Sequence, residues 1–289
     1  MRILLIGRTG QLGGDLVRNN ARHELIAPDR DELDVVDPTQ VTTALGRYRP
    51  QLVINCAAFH NVPLCEQQPD LAFRVNCVAM RDLALACRDA DARLVTFSSD
   101  YVFGSNRREP HVEDALPHPL QVYGITRLAG EHAVLSVAPE HAIVVRTCGL
   151  YGFSGAKSKG GNFVDGRVAD ARAGKRIEMA CEQVISPTST HDLSLAVYAL
   201  LAHPRGNPGI YHLVNSGCCS WYEFTCEIVK IIGASVDVVP VDRGGVTQGM
   251  RRPLYSALAN TRAQALGITL RPWREALANY LRAKYPEPA

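Results

Sequence analysis

The feature that most constrains this chain lies at its start. An apolar run, Ile3 to Ile6, feeds directly into Gly7-x-x-Gly10-x-x-Gly13, and a helical pattern from Gln11 to Asn19 follows. Glycine lets the backbone turn sharply out of a strand and lets a phosphate approach main-chain N–H groups, while the positive end of the next helix favours negative charge. Strand, glycine turn and helix in that order are what a dinucleotide pyrophosphate needs, here that of NADP(H) or NAD(H). The apolar run is too short for a membrane span or a signal-peptide core, so a cytoplasmic protein is expected.

Further along, short β-rich runs alternate with longer helical patterns. Strands are expected at Arg2–Ile6, Glu24–Ala27, Leu52–Cys56, Arg93–Ser98 and Ala142–Thr147, with helices near Gln11–Asn19, Pro38–Tyr48, Pro69–Asp89 and Gln121–Ser136. This alternation implies an α/β fold: a doubly wound parallel-sheet Rossmann domain with a smaller C-terminal α/β substrate lobe. After Thr147 the texture changes, and the Gly/Ser/Lys-rich stretch 149–161 reads as a mobile loop, as does Asp242–Arg252. Helices near Asn162–Ala173 and Thr190–His203, a strand GIYHLV and a helix from about Ser220 complete the pattern. The dinucleotide-binding part is expected to be discontinuous, 1–148 plus about 176–212, and the substrate-binding lobe to comprise about 149–175 and 213–289.

With 31 basic against 29 acidic residues, the net charge of +2 gives no reason to expect a nucleic-acid polymer or a membrane as partner. The nine cysteines show no CxxC pair or Cys/His metal spacing, so structural thiols and no metal are expected.

Other strand ends carry the chemistry. An acidic residue about twenty positions after the glycine turn should meet ribose hydroxyls, whereas arginine there favours a 2′-phosphate; this chain has both, as Asp29 and Arg30. The third strand ends in Asn55-Cys56-Ala57-Ala58, small residues that let a cofactor lie against the backbone. The fourth ends in Ser98-Ser99-Asp100-Tyr101. On the helix beyond it, Tyr123 and Arg127 stand one turn apart and share a face. A tyrosine beside a fixed cation, with a serine nearby, can protonate a carbonyl oxygen while hydride reaches its carbon. Bringing tyrosine from about 10 to about 7 requires roughly 4 kcal/mol of preferential phenolate stabilisation, and the cation is expected to supply much of it.

These residues, with GRTGQLG, RDELDVVDP, CEQQPDLAFRVN, SSDYVFG, LAGE, VVRT, GNF, EQVISPT, SWYEF and RRPLYSAL, make the chain resemble the extended short-chain dehydrogenase/reductases over nearly its whole length. Within them it resembles the dTDP-4-dehydrorhamnose reductase subgroup, whose reaction completes dTDP-L-rhamnose. The resemblance implies that Ser99 and Tyr123 bind and protonate a sugar C4 carbonyl. It implies that Gly7, Thr9, Gly10, Gln11 and Leu12 cradle the pyrophosphate, that Asp34 and Val35 flank the adenine, and that Cys56, Ala57, Ala58 and Asn76 line the cofactor cleft. Asp100, Tyr101 and the segments Gln183–Thr188 and Arg251–Ser256, with Gln183 and Arg252 foremost, would face the sugar nucleotide. Three positions depart from the pattern. Arg127 stands for lysine, keeping the charge and a bond to a ribose hydroxyl but not proton exchange near neutrality. Pro63-Leu64 stands for an Asp-Lys pair, and Gly149 for an aromatic residue.

Three functions share these residues. The first is NAD(P)H-dependent reduction of the C4 keto group of a nucleotide-linked 6-deoxy-4-ketosugar. The second is a non-catalytic NAD(P)-binding regulatory subunit, suggested by Arg127. The third is a nucleotide-sugar epimerase or dehydratase, although dehydratases carry an Asp-Glu pair where this chain has Asp100-Tyr101. The expected partners are a nucleotide-sugar substrate and, for assembly, a second copy in a homodimer.

Overall fold

A computed structural model describes residues 1–104, 107–154, 161–204, 206–247 and 249–286. The first half alternates as expected: β1 (Arg2–Ile6), α1 (Gln11–Arg18), β2 (Glu24–Ile26), α2 (Pro38–Tyr48), β3 (Leu52–Asn55), α3 (Val62–Gln67), α4 (Pro69–Phe73), α5 (Ala79–Asp89), β4 (Arg93–Ser99), α6 (Val122–Val137) and β5 (Ala142–Thr147). The second half holds β6 (Leu150–Tyr151), α7 (Phe163–Arg172), β7 (Ile177–Ala180), β8 (Val184–Ile185), β9 (Thr188–Ser189), α8 (Thr190–Ala202), β10 (Gly209–His212), β11 (Cys219–Ser220), α9 (Trp221–Ile231), β12 (Val238–Val241), β13 (Val246–Thr247), β14 (Met250–Arg251), α10 (Thr261–Ala265) and α11 (Trp273–Lys284).

Six strands form one parallel sheet in the order β10-β5-β4-β3-β1-β2. The strands are near-continuous apolar runs because both faces are covered. In β1, Ile3 and Leu5 pack with Leu16 of α1 and Leu193, Val197 and Leu200 of α8. Leu4 and Ile6 face the other way, onto Val41 and Leu45 of α2, Leu83 of α5 and Val134 of α6. A separate cluster of Tyr151, Val164, Phe224, Trp273 and Leu277 makes the core of the smaller lobe. No disulfide links the nine cysteines, and among the described residues no helix is long and apolar enough to cross a membrane.

Several expectations change. Strand β7 pairs with β12 rather than joining the large sheet, although 176–212 was expected in the dinucleotide-binding part. Conversely Ala263, Ile268 and Leu270, expected in the substrate lobe, pack on the large sheet. The helix expected at Pro69–Asp89 is interrupted by a π-helical turn, Arg74–Val78, between α4 and α5. The stretch 149–161 is not all loop, since Leu150 and Tyr151 pair with Thr188 and Ser189; residues 155–160 lie outside the described residues. Within Asp242–Arg252, β13 and β14 form a short antiparallel pair.

Beneath the sheet's end, Arg146 of β5 is 2% exposed and carries a full set of partners. Its Nη2 donates to Glu131 Oε2 at 2.6 Å, its Nε to both Glu131 oxygens, and its Nη1 to the Glu113 carbonyl at 3.2 Å. His212 beside it accepts no charge readily: burial pushes its imidazole down to about 4.

Candidate active site

Where β1 ends, Gly7 takes a φ of +85°, and a Cβ there would stand 3.1 Å from the Ala57 nitrogen. Gly13 faces back onto the turn, and a Cβ on it would overlap the Gly7 carbonyl oxygen. Both glycines are therefore required by close backbone packing. Gly10 caps α1 without any side-chain acceptor, and no acidic residue occupies the first turn, so the helix end keeps N–H groups for an external anion.

This turn opens into a cavity of about 780 Å³, whose wall also carries the ends of β3, β4 and β5 and parts of α6 and α7. Of the residues expected to hold a cofactor, Thr9, Gly10, Gln11, Leu12, Cys56, Ala58 and Arg127 line it. The others stand behind or beyond. Gly7 forms the turn, and Ala57 donates its N–H to Asn55. Val35 belongs to the core, and Asp34 accepts from the Val36 N–H at 3.1 Å and from Arg30 at 3.4 Å. Asp29 is held in an ion pair by Arg8 of the glycine turn, at 2.7 and 3.0 Å.

Asn76 is buried in the π-helical turn and works as a clamp. Its amide donates to the Phe59 carbonyl at 2.9 Å and to Thr126 at 3.1 Å. Its Oδ1 accepts from the Phe59 N–H at 2.9 Å and from Arg127 Nη1 at 3.4 Å. The extra residue of a π turn re-aims one side chain out of helical register, which explains how Asn76 reaches both β3's loop and α6.

Ser99 ends β4, where its Oγ accepts from the Tyr101 N–H at 3.2 Å and donates to Asp100 at 2.9 Å. Asp100 also accepts from Ser256 at 2.6 Å, and burial raises its carboxyl above the usual range. Tyr123 and Arg127 sit on the first turns of α6, whose leading N–H, from Val122, is capped by Glu66 at 2.7 Å. Gly124 lets this helix pass against the Tyr101 carbonyl, which a Cβ would overlap.

The expected lowering of Tyr123 by Arg127 is overturned in sign. Burial raises the phenol above its ordinary value, and the opposing pull of Arg127 and of a hydrogen bond to Ser99 is smaller. The cation is present, but desolvation of the phenolate outweighs it. Tyr123 therefore keeps its proton.

On the far wall, Arg252 Nη1 donates to the Tyr101 hydroxyl at 2.8 Å, and burial pushes that phenol up to about 12. Gln183 does not line the cavity: its side-chain amide donates to Glu182 at 3.2 Å, and it is Ile185 of this segment that reaches the wall. The sequence reasoning missed His60, Phe163, Arg167 and Trp221, all on the wall. Phe163 and Trp221, with ring centroids 4.4 Å apart, lie in GNF and SWYEF, segments noticed without a role. Among the described residues, six on the wall bury polar atoms that find no partner: Gln11 Oε1, Ser98 Oγ, Arg127 Nε, Thr147 Oγ1, Arg167 Nε and Arg252 Nε. Unpaired buried polar groups are costly, so their concentration in one cleft marks it as built for a polar ligand. Among the described residues no cluster of His, Cys, Asp or Glu is arranged to hold a metal ion.

Comparison with known proteins adds to this geometry. The family described as RmlD substrate binding domain matches residues 1–285. The spore coat polysaccharide biosynthesis protein SpsK of Bacillus subtilis (strain 168) is 34% identical over 98% of both chains. The dTDP-4-keto-6-deoxy-D-glucose reductase of Streptomyces niveus is 35% identical over 96% of this chain and 95% of its own. The crystal structure of dTDP-4-dehydrorhamnose reductase from Bacillus anthracis str. Ames, in complex with NADP, superposes with a TM-score of 0.91 at 31% identity, covering 98% of this chain and 99% of that one.

Proposed function

Because this chain belongs to the RmlD substrate binding domain family, we propose that it reduces the C4 carbonyl of a nucleotide-linked 6-deoxy-4-ketosugar at the expense of NADPH or NADH. The observation that carries the reading is that Ser99, Tyr123 and Arg127 line the same cavity as the glycine turn. The dinucleotide, when bound, supplies the hydride. The residues present fit it: the uncapped end of α1 with Thr9, Gly10, Gln11 and Leu12 takes the pyrophosphate, and the partnerless Arg127 Nε takes a ribose hydroxyl.

The chain's own side chains then do the rest. Ser99 orients the carbonyl oxygen by a hydrogen bond, and Tyr123 donates its proton to that oxygen as negative charge develops there. A buried phenol that holds its proton is the right acid for this direction of reaction. Arg127 contributes charge and position rather than a proton. Tyr101, Asp100 and Arg252 hold the sugar side of the cleft; Phe163 and Trp221 offer apolar faces and Arg167 a second guanidinium for the nucleotide diphosphate.

The test is consumption of NADPH or NADH by purified protein across dTDP-, GDP-, CDP- and UDP-linked 4-ketosugars. Turnover of at least one is expected. Failure with all of them, under either cofactor, would remove the reading.

A further inference from the structure

Arg252 follows β14 directly and reaches the wall of the cavity, where its Nη1 bonds the Tyr101 hydroxyl at 2.8 Å and its Nε finds no partner. One hydrogen bond does not by itself order so long a side chain, so the guanidinium is only as well placed as the backbone that carries it. That backbone has little packing of its own. The β13–β14 pair is two residues long on each strand, and Val246, Gly249 and Arg251 are exposed. A hairpin this small is not stable in isolation.

What holds it is the turn before β13. Gly244 and Gly245 have φ of +59° and +72°, a conformation open to glycine at no steric cost. The turn they make lets the Gly245 carbonyl accept from the Arg252 N–H at 2.6 Å. It also points two N–H groups, from Arg243 and Gly245, at one atom: Glu182 Oε1 accepts both at 3.3 Å. The Arg243 guanidinium goes instead to Glu178, at 3.9 Å, so Glu182 binds the backbone of the turn and not a neighbouring charge. From the strand side the Gln183 amide donates to the same Oε1 at 3.2 Å. Next to it the chain is well anchored. The Gln183 carbonyl accepts from the Trp221 N–H at 3.3 Å, and Val184 exchanges backbone bonds with Leu254 and Ser256 at 2.9 Å. A continuous path therefore runs from the Glu182 carboxylate through Gly245 and Arg252 to Tyr101, and its first link is charge-assisted.

We propose that Glu182 is a positioning residue for the nucleotide sugar: by holding the 243–245 turn it fixes the backbone of Arg252 and so aims that guanidinium at the substrate side of the cavity. This role rests on the ketoreductase reading. Glu182 does not line the cavity, so its effect on the substrate passes through Arg252. The cofactor side, at the glycine turn and Arg127, has no part in the path.

The experiment is a double-mutant cycle on the full chain: wild type, Glu182→Ala, Arg252→Met and the two combined, with Glu182→Gln as the conservative variant. For each, kcat and KM are measured on a nucleotide-linked 4-ketosugar that the wild type reduces, NADPH binding by fluorescence, and folding by thermal melt. Glu182→Ala should raise KM for the sugar by on the order of tenfold, with kcat, NADPH affinity and the melt retained. Glu182→Gln, which keeps an oxygen for the two N–H groups, should recover most of that loss. On the Arg252→Met background, Glu182→Ala should add no more than about twofold, because its route to the substrate is already cut. A Glu182→Ala protein with the wild-type KM overturns the proposal. So does a loss that multiplies in full with that of Arg252→Met, or one that lies in kcat, NADPH binding or the fold. A wild type that turns over no ketosugar overturns the reading beneath it instead, and the proposal with it.

Discussion

Two arginines in this protein are almost equally buried and are treated in opposite ways. Arg146, 2% exposed, has every guanidinium nitrogen engaged, chiefly by Glu131. Arg127, 6% exposed, has one long bond to Asn76 and a partnerless Nε, and no carboxylate among the described residues pairs with it. A buried charge that is fully paired belongs to the framework; a buried charge left short of partners in a cleft belongs to a site whose ligand completes it. The same contrast separates the two regions around them. The network under β5 is closed on itself, whereas the cleft collects unsatisfied polar atoms.

Four changes break or sharpen this contrast. The largest effect belongs to the closed network: Glu131→Ala leaves Arg146 charged and unpaired and should cost about 3–5 kcal/mol of stability in denaturant unfolding. If the melt is unchanged, the network is not framework. Tyr123→Phe should do the reverse, lowering kcat by about 10²-fold or more with little effect on unfolding. Arg127→Met should weaken NADPH binding by about ten- to a hundredfold, the worth of a hydrogen bond to a charged group, while stability holds or rises. A large loss of stability would place Arg127 with Arg146.

The smallest effect is one of pH. His212 is depressed to about 4 in the fold by burial, against about 6.5 in an unfolded chain. The stability it confers is present above about 6.5 and is lost as pH falls toward 4. His212→Gln should flatten that part of the stability profile, and an unchanged slope would show that other groups govern it.

Much of the sheet was legible because parallel strands buried on both faces are short apolar runs punctuated by glycine and proline. Pro38 and Pro69 begin helices where they were expected to. What escaped depends on contacts distant in sequence. The two-residue pairs of β6 with β9 and β8 with β11 carry too little pattern to notice. The π turn at Arg74–Val78 adds one residue without disturbing the helical composition, so the aim of Asn76 could not be read. Within the site, the glycine turn, Ser99, Tyr123 and Arg127 were legible because each sits at a strand end or one helical turn from another. Gln183 was misplaced, since its amide turns to the side chain of Glu182, a contact that the sequence does not show. The sign of the Tyr123 shift was also hidden, because charge is visible in a sequence and desolvation is not.

The most direct test of the account follows the hydride. Protein, a nucleotide-linked 6-deoxy-4-ketosugar and NADPH carrying deuterium at the nicotinamide C4 are incubated together, and the product is examined by NMR and mass spectrometry. The account predicts a C4-hydroxy sugar with one deuterium on C4, formed by the wild type and scarcely at all by Tyr123→Phe. A product with deuterium on another carbon, loss of water in place of reduction, or equal label from Tyr123→Phe would contradict it.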